Sequence, residues 1–256
     1  MTTSVRPTAR STAPKRAPMD SLRKTALMGG VFYLITYASS IPAVFLLRPV
    51  LNNQNYIVSS GADTQVTFGT FLDLVNALAC IATAVVLFPV VKRQSEALAL
   101  GFVTTRIFEA AVIVIGVVSL LTVVSLRQPG AAGAEAGSLV MTGQALVAAR
   151  DWTFLLGPNV MAGLNALLLG TLMYKSGLVP RVIPAMGLIG GPLLLAVTIA
   201  TIFGLTEHGS VWWLVAAPIF VWELSLGLYL VLKGFKPSPT TAGMVATPTA
   251  HQNVDA

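Results

Sequence analysis

The sequence predicts an all-α fold, an integral membrane bundle of six transmembrane helices with both termini cytoplasmic. Three observations carry this. First, six apolar runs, about 25–47, 68–91, 97–126, 152–174, 182–204 and 212–232, each reach the roughly 20 residues a helix needs to cross a hydrocarbon core of about 30 Å. Second, 10% of residues are charged against 55% hydrophobic, with a mean hydropathy of +0.78, far from the balance of a soluble domain. Third, lysine and arginine gather at alternate span ends, as they do where cytoplasmic segments keep positive charge during insertion. Arg6, Arg10, Lys15, Arg16, Arg23, Lys24, Lys92, Arg93, Lys175, Arg181, Lys233 and Lys236 put twelve on one side; Arg48, Arg127 and Arg150 put three on the other.

Residues 1–19 are rich in Ser, Thr, Pro and Arg and read as a disordered basic tail that sets topology, not as a cleaved leader. Residues 20–236 are read as the transmembrane domain and 237–256 as a second mobile tail. The polar stretch 48–67, with Asn52, Asn53, Gln54 and Asn55, carries no recognisable chemistry. The third run exceeds the minimum length, so its helix must tilt or project. In the stretch 127–151, Leu139, Val140, Met141, Leu146 and Val147 recur at roughly helical spacing, which predicts a separate short helix over 138–149, either on the outer interface or dipping between spans. Trp152, Trp212, Trp213 and Tyr174 stand at expected span ends, where amphipathic rings suit the interface. Pro42, Pro89, Pro158, Pro192 and Pro218 fall inside the runs and should kink or end helices.

The informative residues are the polar ones at bilayer depth, because an ionised side chain there costs several kcal/mol and is kept for a partner or a task. Arg106 and Glu109 lie roughly 14 and 18 Å from the cytoplasmic edge at about 1.5 Å per residue, and Glu223 on the sixth helix reaches a similar depth. Asp73 and Asn76, three residues apart, share a face of the second helix nearer the outer side. Asn159 and Asn165 lie on the fourth helix and, six residues apart, point to different faces. Three acids thus face one base. Arg106, Glu109, Glu223, Asp73, Asn76 and Asn159 are the candidates for binding a ligand or moving a proton; the competing reading is that Arg106 pairs with Glu109 or Glu223 only to lock helices together.

Several chemistries are absent from the sequence. There is no HExxH or GxSxG motif and no mid-span histidine to activate a serine, so no catalytic residue is named. Cys80 is the sole cysteine and His208 and His251 the two histidines, so no metal site, redox pair or cofactor is expected. A net charge of +6 follows from topology and not from a nucleic-acid surface. Gly187 and Gly191 form a GxxxG pair that favours close helix approach, within the chain or in a homo-oligomer.

The segments Tyr174-Lys-Ser-Gly-Leu-Val-Pro-Arg181, Gly187-Leu-Ile-Gly-Gly191, Arg106-Ile-Phe-Glu109, Asp151-Trp152 before Leu-Leu-Gly-Pro, and Glu223-Leu-Ser-Leu-Gly-Leu-Tyr-Leu ending in Lys233-Gly-Phe resemble, in order and spacing, the bacterial membrane family catalogued as domain of unknown function 4386. The resemblance covers about residues 20–236. It implies a multi-pass protein of a bacterial cytoplasmic membrane and supplies no ligand or reaction. Two functional readings remain: binding or transport of a small or lipid-like ligand at the midplane cluster, or a non-catalytic accessory protein whose charges serve assembly. A cavity lined by Arg106 and the acids would favour the first, and a dry ion pair the second.

Overall fold

The computed structural model describes residues 21–206 and 210–244. Six of its helices are long and apolar enough to span a membrane: α1 Ser21–Leu46, α2 Asp63–Val91, α3 Glu96–Leu126, α4 Gly133–Ser176, α5 Val182–Ile202 and α6 Ser210–Leu232. The protein is a multi-pass membrane protein. The whole of the expected tail 1–19, with Arg6, Arg10, Lys15 and Arg16, and also His208, His251 and residues 245–256 lie outside the described residues, as do the side chains of Trp212 and Trp213.

Each helix packs on its neighbours in sequence, and α6 returns to α1, which closes the six into a ring. Local chemistry sets the boundaries. Ser95 caps α3 by accepting a hydrogen bond from the Leu98 amide at 3.4 Å, and Glu96 follows in the first turn, where a negative charge suits the helix dipole. Gly177, at φ +67°, ends α4 in the left-handed conformation that glycine adopts without penalty. α1 and α6 approach through glycines: a Cβ on Gly30 would stand 2.7 Å from the Gly227 carbonyl oxygen. The GxxxG pair works the same way inside the chain, with Gly187 against the Trp222 ring and Gly191 against the Gly163 backbone.

Burial divides along the helix axes. At the basic end, Leu87, Phe102, Leu169, Leu172, Met173 and Leu226 belong to a continuous core. A second, smaller core at the opposite end joins Leu47, Tyr56, Ile57, Leu120 and Val123. The outward mid-helix positions are apolar and exposed, as at Leu78 and Ile189, which is the surface that lipid tails cover.

The fourth span departs from expectation. Residues 138–149 are neither an interfacial nor a re-entrant helix, because α4 runs unbroken for 44 residues from Gly133. Leu139, Val140, Leu146 and Val147 pack on the core around Ile57 and Val123, so the apolar set seen in the sequence buries against the 48–62 connection and the end of α3. That connection is itself fastened: the Tyr56 hydroxyl donates to Asp63 at 2.9 Å, Arg127 pairs with Asp63, and the Gln128 amide donates to the Ile57 carbonyl at 2.9 Å. Burial first, and the bond to the Asp63 carboxylate second, push the Tyr56 hydroxyl up to about 12.

At the basic end, the Arg23 guanidinium donates to the Leu230 carbonyl at 2.8 Å and the Lys236 amide to the Leu178 carbonyl at 2.7 Å. Residues just past 236 are also engaged: the Ser238 hydroxyl donates to the Ser176 carbonyl at 2.6 Å, and Pro239–Met244 forms a short 3₁₀ helix.

Candidate functional site

Along α3, Phe102, Arg106, Glu109, Ile113 and Gly116 fall on one helical stripe, and the stripe faces into the ring. Arg106 is 2% exposed. One guanidinium nitrogen, Nη1, donates to Glu109 at 3.1 Å and to the Cys80 sulfur on α2 at 3.6 Å. The other, Nη2, donates to Glu223 on α6 at 2.7 Å and to the Tyr33 hydroxyl on α1 at 3.1 Å. Glu109 also accepts from the Asn165 amide of α4 at 2.8 Å, and Asn165 in turn accepts from the Thr105 hydroxyl. Side chains from α1, α2, α3 and α6 therefore converge on one guanidinium, and α4 joins them through Glu109. Two parallel charge-assisted bonds to separate carboxylates hold it more rigidly than a single pair would.

Outward of this cluster lies a cavity of about 260 Å³. That exceeds the ~150 Å³ in which an apolar cavity accommodates benzene. Arg106, Glu109 and Glu223 form its floor. The walls carry polar groups from Asp73, Asn76, Arg150, Thr153 and Asn159 and apolar ones from Ile113, Phe154, Leu194, Ile219 and Phe220. Asn159 is 4% exposed, and its amide nitrogen has no hydrogen-bond partner. It belongs to a π-helical turn, Leu155–Met161, inside α4. Pro158 has no N–H to give the helix and its ring crowds the preceding turn, so a wider turn forms there; such turns recur at functional sites.

All six sequence candidates line this one cavity. Asp73 and Asn76 share a face, and Asn159 faces the cavity while Asn165 reaches Glu109 on α3. The imbalance of charge falls differently from the simple count. Both glutamates touch Arg106, and the carboxyl that accepts no hydrogen bond is that of Asp73.

Sequence reasoning missed Arg150. Counted only as an outward topology charge, it is also 9% exposed and lines the cavity. The apolar run of the fourth span starts at 152, whereas α4 begins at Gly133, so Arg150 lies well inside the helix. Cys80 and Tyr33 were also missed, and both touch Arg106. Cys80 falls four residues after Asn76, a spacing that puts it on the same face and could have identified it.

The chain belongs to the family described as Domain of unknown function (DUF4386), with the match running over residues 28–234. The matched segment takes in every residue of the Arg106 cluster and of the cavity lining. Comparison with curated proteins and with solved structures gives no match.

Proposed function

We propose that this protein binds a small amphipathic molecule inside its helix ring, in a bacterial cytoplasmic membrane with both termini facing the cytoplasm. The observation that carries the reading is the cavity of about 260 Å³ above Arg106, Glu109 and Glu223. Charges kept only for helix assembly would be expected to pack dry, since buried polar groups in membranes usually find partners within the protein. The Arg106 pairs meet that description and support the accessory reading for the floor itself. The cavity above them does not: Asp73, Asn76, Arg150 and Asn159 line open space inside the helix ring.

Division of labour follows. Arg106 and its two glutamates fix five helices into a rigid floor, and the polar groups above the floor meet the ligand. The packed core at the basic end, around Leu87 and Phe102, lies beneath the floor, so the reading is of a site reached from the outer half of the membrane and not of a path across it.

The test is native mass spectrometry of the purified protein beside Ile113→Trp, which places an indole in the cavity. A small molecule retained by the wild type and lost from a folded Ile113→Trp protein is the expected result. An empty wild type, together with an Ile113→Trp protein that melts higher, would mean the cavity holds nothing.

A further inference from the structure

Arg150 is the group in the cavity whose chemistry is least used. It is 9% exposed, yet its guanidinium donates no hydrogen bond to another group of the described residues. The carboxylate within ion-pair distance is that of Asp151, 3.6 Å away and on the exposed side of the helix; otherwise the guanidinium lies over the Phe154 ring at 4.6 Å. Asp73 lines the same space from α2 and accepts no hydrogen bond. The two are near enough for Arg150 to act on Asp73 electrostatically, but they form no ion pair. A forked donor and a carboxylate that line one space toward the outer end of the ring, without touching, leave the capacity of both open to a molecule that lies between them.

Position defines the shape of that something. Gly116, ten residues beyond Arg106 on α3, leaves room for Arg150, whose Cγ would stand 3.5 Å from a Cβ at that glycine. Arg150 is therefore about 15 Å outward of the floor, and Asp73, seven residues before Cys80, about 10 Å outward of it. Between that charged upper end and the floor stand Ile113, Leu194 and Ile219. Asn159, nine residues further along α4 than Arg150, comes back to floor level, where its amide nitrogen lacks a partner. Among the lining residues the exposed ones are Ile41 and Val44 on α1 and Phe220 on α6, so the mouth lies on the side of the ring where α1 meets α6.

We propose that the cavity takes a zwitterion with a short apolar body, its anionic oxygens on Arg150, its ammonium on Asp73 and its apolar part directed down toward the Arg106 floor. The proposal rests on the reading of the cavity as a ligand site and names the class of ligand. A planar fork of N–H donors matches a carboxylate or phosphate, and a carboxylate matches an ammonium. A zwitterion satisfies both and adds no net charge to a low-dielectric site, whereas a simple anion or a simple amine would leave one of the two facing groups unmet. The same chemistry occurs in a free amphipathic amino acid and in the headgroup of phosphatidylethanolamine.

The experiment uses the purified full chain in a neutral detergent and three probes with the same eight-carbon body: 2-aminooctanoic acid, octanoate and octylamine. Affinity is read by calorimetry and by the shift in melting temperature. The zwitterion should bind at least tenfold more tightly than either singly charged probe. Arg150→Gln should lower affinity for 2-aminooctanoic acid and octanoate tenfold or more and leave octylamine unchanged; Asp73→Asn should do the reverse for octylamine and octanoate. Retention of phosphatidylethanolamine over phosphatidylglycerol in nanodiscs, lost in both variants, supports the same chemistry from a lipid source. If all three probes bind the wild type equally and neither lipid is preferred, the zwitterion assignment is wrong, and this ranking needs no variant to fold. Ile113→Trp separates the two levels of the argument. Loss of all probes in Ile113→Trp without charge discrimination in the other variants keeps the cavity reading and removes this one; unchanged binding in Ile113→Trp removes both.

Discussion

Replacing Arg106 by leucine tests whether the floor is one electrostatic unit. The substitution removes bonds to Glu109, Glu223, Tyr33 and Cys80. At about 0.6 kcal/mol for a hydrogen bond within a membrane protein, those four contacts account for about 2 kcal/mol. The larger share comes from what stays behind. Glu109 is 5% exposed, and breaking a buried pair by removing one partner costs about 3–5 kcal/mol because a charge is stranded. Arg106→Leu should therefore lose about 3–5 kcal/mol, a fall in melting temperature of roughly 6–20 °C at about 2–4 °C per kcal/mol for a chain of this size. Adding Glu109→Gln and Glu223→Gln removes the stranded charges, and the triple variant should recover to within about 2 kcal/mol of wild type. Restoring only one carboxyl to neutrality should recover part. The assay is melting of the detergent-solubilised protein for each member of the set. If the losses from Arg106→Leu and from the double glutamine variant simply add, the three side chains do not form one unit and the argument for a rigid floor fails.

Three further predictions address the frame around the site. A cytoplasmic reporter fused after Lys236, and a periplasmic one inserted after Gly130, should both be active; periplasmic activity after Lys236 would overturn the orientation. Gly30→Ala should lower stability by about 1–3 kcal/mol, because its new methyl meets the Gly227 carbonyl and the Val231 backbone, which cannot move as a side-chain end can; an unchanged melt would show that α1 and α6 are not held this closely. For the outer fastening, the Tyr56 hydroxyl titrates near 12 in the folded protein against about 10 in an unfolded chain. Its contribution is present below pH 10 and fades as pH rises through 12, so the loss of stability in that window should be smaller in Tyr56→Phe than in the wild type, and a wild-type tyrosinate signal complete by pH 11 would contradict the buried bond to Asp63.

What the sequence revealed followed from cost. Spans are legible because apolar length is a direct requirement of the bilayer, and Arg106, Glu109 and Glu223 stood out because each is expensive at the depth its helix assigns. Meetings between helices were not legible. Nothing in the order of residues says that Tyr33 and Cys80 reach the same guanidinium, since that depends on how five helices rotate about their axes. The π turn was invisible for a similar reason: Pro158 announces a disturbance, but a kink, a break and a widened turn share that signature. The boundary of α4 failed because Gly and Ala around 129–137 read as a loop, whereas the apolar residues after them bury against Ile57 and Val123 and tertiary packing outweighs a weak local preference.

That boundary alters more than one helix. With Arg150 taken as a loop residue, the charge count across the membrane is twelve to three. With α4 starting at Gly133, Arg150 lies inside the helix and lines the cavity, yet about 15 Å outward of Arg106 it keeps its place on the outer side of that count. The charge bias read from the sequence is therefore unchanged. The same relocation supplies the cavity with a cation whose guanidinium donates no hydrogen bond among the described residues. A single reassignment of where a helix begins thus moves the centre of functional interest outward, from Arg106, whose two Nη atoms are already engaged, to the open space that Arg150 and Asp73 line.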